Sequence, residues 1–102
     1  MTDTERDVEV YFHGRVRKVL KGKTYKFISP GCDGVPDRVV LVPRKGRKAQ
    51  VWFVELKRPG GQLRPIQIFR QAEMKRLGAR CETLDSREAV DAWVEEMRKE
   101  QK

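Results

Sequence analysis

Two apolar runs, Arg38-Val39-Val40-Leu41-Val42 and Gln50-Val51-Trp52-Phe53-Val54-Glu55-Leu56, flank the basic link Pro43-Arg44-Lys45-Gly46-Arg47-Lys48, and this arrangement constrains the fold more than any other part of the chain. Runs rich in β-branched and aromatic residues and bounded by Pro and Gly read as strands; a short link with a glycine at its middle reads as a hairpin. Antiparallel pairing about Gly46 sets residues equidistant from it opposite each other. Asp37 and Glu55 each lie nine positions from Gly46, so they face each other with Cβ atoms about 5 Å apart. A one-residue slip or a bulge would undo this pairing. Two carboxylates at that separation repel unless a cation lies between them or one is protonated.

Glu55 and Lys57 are two positions apart, and a strand has a side-chain period of two, so both point to one face. Taken alone, such a pair reads most simply as the wet end of a strand. Set opposite Asp37, it becomes a carboxylate pair with an ammonium beside it, next to an apolar run.

The remaining elements follow from periodicity. Val8, Tyr11, Phe12, Val16, Val19 and Leu20 recur at three- and four-residue spacings and predict a first helix stopped by Gly22. Tyr25 to Ile28 predicts a short strand, followed by a loop dense in turn formers, Ser29-Pro30-Gly31 and Gly34-Val35-Pro36. After Arg58-Pro59-Gly60-Gly61-Gln62, Pro65 opens a helix running to about Leu77 with Gly78 as its stop, and Ile66, Phe69, Ala72, Met74 and Leu77 supply its apolar side. Arg80 to Leu84 is a strand. Asp85 with Glu88 resembles a capping box for a last helix whose core stripe is Val90, Trp93, Val94 and Met97. The order α-β-β-β-α-β-α, with a hairpin and a β-α-β step, predicts an α/β fold: a mixed sheet flanked by helices, one domain over residues 1–102.

Charge narrows the function. The chain carries 23 Lys+Arg against 15 Asp+Glu, a formal net charge of +8, which points to a polyanionic partner, most simply nucleic acid. No stretch has the apolar length of a membrane span or a signal peptide, so a soluble, cytoplasmic protein is expected. Cys32 and Cys81 lack metal-ligand spacing and read as free thiols. His13, the only histidine, reads as a surface residue of the first helix. Neither a zinc finger, nor a helix-turn-helix signature, nor a Walker loop is present, so a nucleic acid would be recognised by shape.

Asp37 and Glu55 are hard oxygen donors suited to Mg²⁺ or Mn²⁺, which bind through one or two carboxylates together with water and substrate phosphate. The backbone carbonyl of Leu56 could complete the protein's share of the ligands. Lys57 would orient or deprotonate an attacking water, or offset charge on a phosphate. Arg44, Lys45, Arg47 and Lys48 at the hairpin tip, with Arg58 and Arg64 nearer the acids, are candidate phosphate contacts.

The runs GVPDRVVLV and VWFVELKRPGGQLRPIQ resemble the virus-type replication-repair nuclease (VRR-NUC) domain of the PD-(D/E)xK superfamily in its small stand-alone form, and the likeness extends through TYKFISPG and LGARCETLDSREAVDAW. The resemblance implies a restriction-endonuclease-like core and a divalent-metal-dependent, structure-selective DNA endonuclease. It further implies a homodimer acting on four-way (Holliday) junctions or related branched DNA, as fits a phage-encoded protein of DNA repair. Asp37, Glu55 and Lys57 match the family's catalytic core, and Gln67 matches the glutamine that follows it. For the acid on the first helix, the pattern favours Glu5; Glu9, one turn later on the same face, is the alternative. A competing reading across classes is a non-catalytic basic nucleic-acid-binding or assembly protein on the same fold, its acids serving structure alone.

Overall fold

The computed structural model describes residues 2–102 and gives the order α1 (Glu5–Leu20), β1 (Lys23–Lys26), β2 (Arg38–Arg44), β3 (Arg47–Leu56), α2 (Pro65–Arg76), β4 (Arg80–Leu84) and α3 (Arg87–Glu100). The strands form one sheet in the order β1-β2-β3-β4. β1, β2 and β3 are antiparallel neighbours, and β4 joins β3 in parallel through α2. This is the mixed sheet flanked by helices that the sequence predicts.

The hairpin register has an instructive origin. The turn itself is two residues, Lys45-Gly46, with Arg44 paired to Arg47, and this alone would centre the ladder half a residue before Gly46. An irregularity between Val42 and Arg44 sets one residue of β2, Pro43, against two of β3, Lys48 and Ala49, and restores pairs equidistant from Gly46, from Val42↔Gln50 to Arg38↔Val54. Pro43 occupies that irregularity, a place where its missing N–H costs no ladder bond. Gly46 takes φ 68°, the left-handed conformation a tight turn requires.

α1 is capped by Thr4, whose hydroxyl accepts from the Asp7 N–H while the Asp7 carboxylate accepts from the Thr4 N–H. It ends one residue earlier than expected, at Lys21 in the left-handed conformation. Gly22 has another role: a Cβ there would collide with the Leu41 carbonyl oxygen. β1 begins at Lys23, two residues before the predicted Tyr25, and Ile28 is exposed. α3 is capped by Ser86, whose hydroxyl accepts from the Ala89 N–H at 3.0 Å, in place of the predicted Asp85.

Val8, Phe12, Val16 and Leu20 of α1 and Val90, Trp93, Val94 and Met97 of α3 pack on Val40, Val42, Val54, Leu56 and Leu84 to form the core. The residues alternating with these along the strands, Asp37, Val39, Phe53, Glu55 and Thr83, therefore point to the other face. There α2 lies against β4 and the Phe27 ring lies 5.8 Å from that of Phe53, and the molecule is 19 Å in its thin direction. α2 departs from its predicted apolar side. Its buried residues are Gln67 and Gln71, whereas Phe69 and Leu77 are 57% and 79% exposed. Ile66 and Met74 are half-buried and Ala72 is exposed. The inward face of this helix meets β4, where Gln71 bonds Thr83, and not the main core.

Candidate active site

The end of β3 and the start of β2 come together at the open end of the hairpin. Arg38 pairs with Val54, and one further step of the same register sets Asp37 against Glu55. Position 37 is also held from the β1 side, because its carbonyl accepts from the Phe27 N–H at 2.7 Å. Lys57 lies just past β3, its N–H donating to the Leu84 carbonyl at 3.0 Å. Its Nζ is 3.8 Å from a Glu55 carboxylate oxygen. Leu56 puts its side chain in the core, which leaves its backbone carbonyl as the group it could offer to the site.

The electrostatics of this corner run against the chain's net charge. Glu55 is 6% exposed, and its pKa is pushed up to about 7, chiefly by burial and then by the charge of Asp37, with Glu5 adding to the rise; Lys57 and the Asp37 backbone N–H oppose it. Asp37 is also raised, by burial first, with Arg38 opposing, Glu9 adding, and its own backbone N–H and Lys26 opposing. Two neighbouring carboxyls are thus held above their ordinary range in a protein of net charge +8. The cations present do not balance them. The donor set, two hard carboxylates with a backbone carbonyl alongside, fits a divalent ion such as Mg²⁺ or Mn²⁺ that keeps much of its water. Among the described residues, no group of three or more His, Cys, Asp and Glu side chains is gathered for a metal.

The two acids of α1 have separate surroundings. Glu5 is exposed, and its charge reaches Glu55. Glu9 is bound to Arg38 at 2.6 Å and to Arg6 at 3.5 Å, and its charge reaches Asp37. Gln67 is buried, and its side-chain oxygen accepts from the Arg64 N–H at 2.8 Å, closing the start of α2. Its amide nitrogen remains for other uses. One turn on, Gln71 donates to the Thr83 hydroxyl at 2.9 Å, and Thr83 is the β4 partner of Glu55. The spacing of four from Gln67 is the sequence signal that could have found Gln71.

Two glycines bring the surrounding loops close. A Cβ on Gly61 would meet the Arg58 carbonyl oxygen at 2.9 Å and the Lys57 Cβ at 3.3 Å, so only glycine lets the loop fold back against Lys57. Gly34, at φ 83°, has the Ile66 carbonyl oxygen 2.6 Å from where its Cβ would be, which seats the loop before Asp37 on the first turn of α2. Arg70 reinforces that seat by donating to the Asp33 carbonyl at 2.9 Å.

The basic candidates divide. Arg58 is exposed immediately after Lys57, and Arg64, 3.9 Å from Asp33, is exposed at the start of α2. Arg44, Lys45, Arg47 and Lys48 lie at the opposite end of the hairpin, roughly 23 Å from the acids at a strand rise of about 3.3 Å per residue. There the tip is engaged with the end of α3. Arg47 donates to the Glu100 carbonyl at 3.3 Å, and the Lys45 N–H to the Gln101 carbonyl at 3.0 Å. Arg44 Nε donates to the Lys48 carbonyl at 2.8 Å.

No family model matches the chain. A protein of Acyrthosiphon pisum secondary endosymbiont phage 1, named "Putative nuclease p44", is 39% identical over 84 residues, which span 82% of this chain and 85% of the phage protein. A solved structure described as a VRR_NUC domain superposes with a TM-score of 0.77 at 28% identity, covering 91% of this chain and 97% of its own. The fold and the order of elements agree with that likeness: the chain belongs to the VRR-NUC family of nucleases.

Proposed function

We propose that residues 1–102 form one metal-dependent DNA endonuclease domain that hydrolyses phosphodiester bonds in branched DNA, with four-way junctions as its principal substrate. One observation carries the reading. Glu55 is buried facing Asp37, with its pKa raised to about 7 and Lys57 Nζ 3.8 Å away. A structural ion pair would hold its carboxylate below the ordinary range, whereas this corner is short of positive charge.

Phosphodiester hydrolysis needs an activated water, stabilisation of the charge that builds on the phosphoryl group, and help for the leaving oxygen. A divalent ion, when bound, supplies Lewis acidity and lowers the pKa of its water. Asp37 and Glu55, with the Leu56 carbonyl, would hold it. Lys57 orients the attacking water and offsets phosphate charge. Glu5, whose field already reaches Glu55, adds negative charge on the metal side; Glu9 is matched by Arg38 and serves α1. Gln67 fixes the start of α2 and offers its amide N–H to the substrate. Arg58 and Arg64 grip phosphates beside the site.

A homodimer completes the reading, because a two-fold assembly matches two symmetric strands of a junction. Trp93, Met97 and Phe12 are buried in the core and cannot form the interface. Ile68 and Phe69 on α2 and Leu77 just after it are exposed, and a second copy would cover them.

Cleavage of a panel of four-way junction, flap, splayed-arm and linear duplex DNA with Mg²⁺ or Mn²⁺ tests the function. Preferential cutting of the junction, abolished by chelation, is expected. Salt-sensitive binding that ignores chelator, with no cutting of any substrate, would leave a basic DNA-binding module in its place.

A further inference from the structure

His13, the only histidine, stands where two clefts meet. One, about 240 Å³, is lined by Arg6, Glu9, Val10, His13 and Arg38; the other, about 190 Å³, by His13, Arg17, Gly22 and Lys23. Both lie along α1, the second where that helix runs beside the edge strand β1. In the first, Glu9 is neutralised by Arg38 at 2.6 Å, with Arg6 at 3.5 Å as a surplus cation. The second holds two cations, Arg17 and Lys23, and no acid.

We propose that the cleft formed by His13, Arg17, Gly22 and Lys23 is a second anchoring site that binds a backbone phosphate of the DNA substrate away from the cut. This rests on the nuclease reading for the identity of the ligand. Three observations support it. The His13 ring is fixed, because Nδ1 is 2.7 Å from the hydroxyl of buried Thr24. When that hydroxyl donates, the ring proton sits on Nε2, and the exposed ring can donate it to an anion. Arg17 and Lys23 are exposed and, within the cleft, face no carboxylate that would occupy them. The third observation is direction. Glu5, Glu9, His13 and Arg17 are spaced by four residues and form one stripe along α1. It runs from the helix acid beside Glu55 to the cleft.

The stripe also gives a distance. Twelve residues of helix at about 1.5 Å each span roughly 18 Å. This is about five base steps of a duplex at about 3.4 Å per step. A strand cut at Glu55 would therefore place a phosphate in the cleft about five steps along the same arm. The hairpin tip, whose arginines are engaged with α3 and with its own backbone, offers no comparable pocket.

The experiment is the salt dependence of DNA binding by the full chain, measured by fluorescence anisotropy in chelator. Arg17→Gln combined with Lys23→Gln is compared with Lys75→Gln combined with Arg76→Gln, which removes the same charge from the end of α2. On a long-armed junction, the first pair is expected to weaken binding about tenfold and to reduce the slope of log K against log salt by about one to two. The second pair should leave the slope near wild type. His13→Ala should weaken binding with a smaller change of slope. Arms truncated to fewer than about five base steps should erase the difference between the first pair and wild type. An unchanged slope for the first pair, or an equal change for both pairs, would overturn the proposal. Absence of metal-dependent cleavage by the wild type would instead remove the nuclease reading and leave the binding comparison standing.

Discussion

Lys57 Nζ lies 3.8 Å from the carboxylate of Glu55, and both side chains are withdrawn from solvent, yet the carboxyl is held at about pKa 7 because burial and the charge of Asp37 outweigh the ammonium. A single lysine at this distance does not balance two buried acids. Lys57→Ala removes the ammonium paired with Glu55. Cleavage of junction DNA is expected to fall by at least about a hundredfold, the scale of a lost acid–base or electrostatic group. Binding in chelator should change less than about threefold. Retained cleavage would remove Lys57 from the chemistry.

The metal-free protein should lose stability as pH rises. The folded pKa of Glu55, about 7, lies above its ordinary 4.5. The folded state therefore holds the proton more tightly, and the contribution is full below about pH 4.5 and is lost as pH passes through about 7. The loss amounts to about 3 kcal/mol at most. Glu55→Gln should flatten this decline. Mg²⁺ should raise the melting temperature more near pH 8 than near pH 5.5, since protons and metal compete for one carboxylate. Melting curves at both pH values, with and without chelator, check the sign.

The two α1 acids should separate by phenotype. Glu5→Gln, at an exposed position, is expected to leave the melting temperature within a degree or two and to lower cleavage about tenfold or more. Glu9→Gln leaves Arg38 without its 2.6 Å partner and should cost about 1 kcal/mol of stability. Its effect on cleavage should be smaller than that of Glu5→Gln. Equal losses of cleavage from both would assign Glu9 to the site as well.

Gly34→Ala and Gly46→Ala share a positive φ but not a neighbourhood. At Gly46 the space around the new Cβ is open, so only the left-handed backbone is penalised, by about 1 kcal/mol. At Gly34 the Cβ would also meet the Ile66 carbonyl oxygen at 2.6 Å. The loop before Asp37 would have to leave α2, with a cost above about 2 kcal/mol and a matching loss of cleavage. Denaturant unfolding of both variants gives the comparison.

Leu77→Glu, at a large apolar residue that is 79% exposed, should convert a dimer to a monomer while leaving the fold intact. Light scattering of wild type and variant at matched concentration measures it. A wild-type monomer at all concentrations would remove the dimer from the reading.

The sequence by itself determined the strands of the hairpin, the core stripes of α1 and α3, and the opposition of Asp37 and Glu55. Each depends on a local period or on counting from one turn. Even there the count held because a bulge in β3 opposite Pro43 offset a turn centred before Gly46, a compensation no periodicity reveals. Tertiary structure alone decided which way α2 faces. Phe69 and Leu77 read as core in the sequence, but the helix turns Gln67 and Gln71 inward, with Gln71 donating to Thr83 of β4. It also decided that the tip arginines lie far from the acids, and that His13 closes a basic cleft with Arg17 and Lys23. The pKa of Glu55 belongs to this second class, since desolvation is set by what surrounds a side chain, and the charges that act on it come from α1, from Asp37 and from its own strand end.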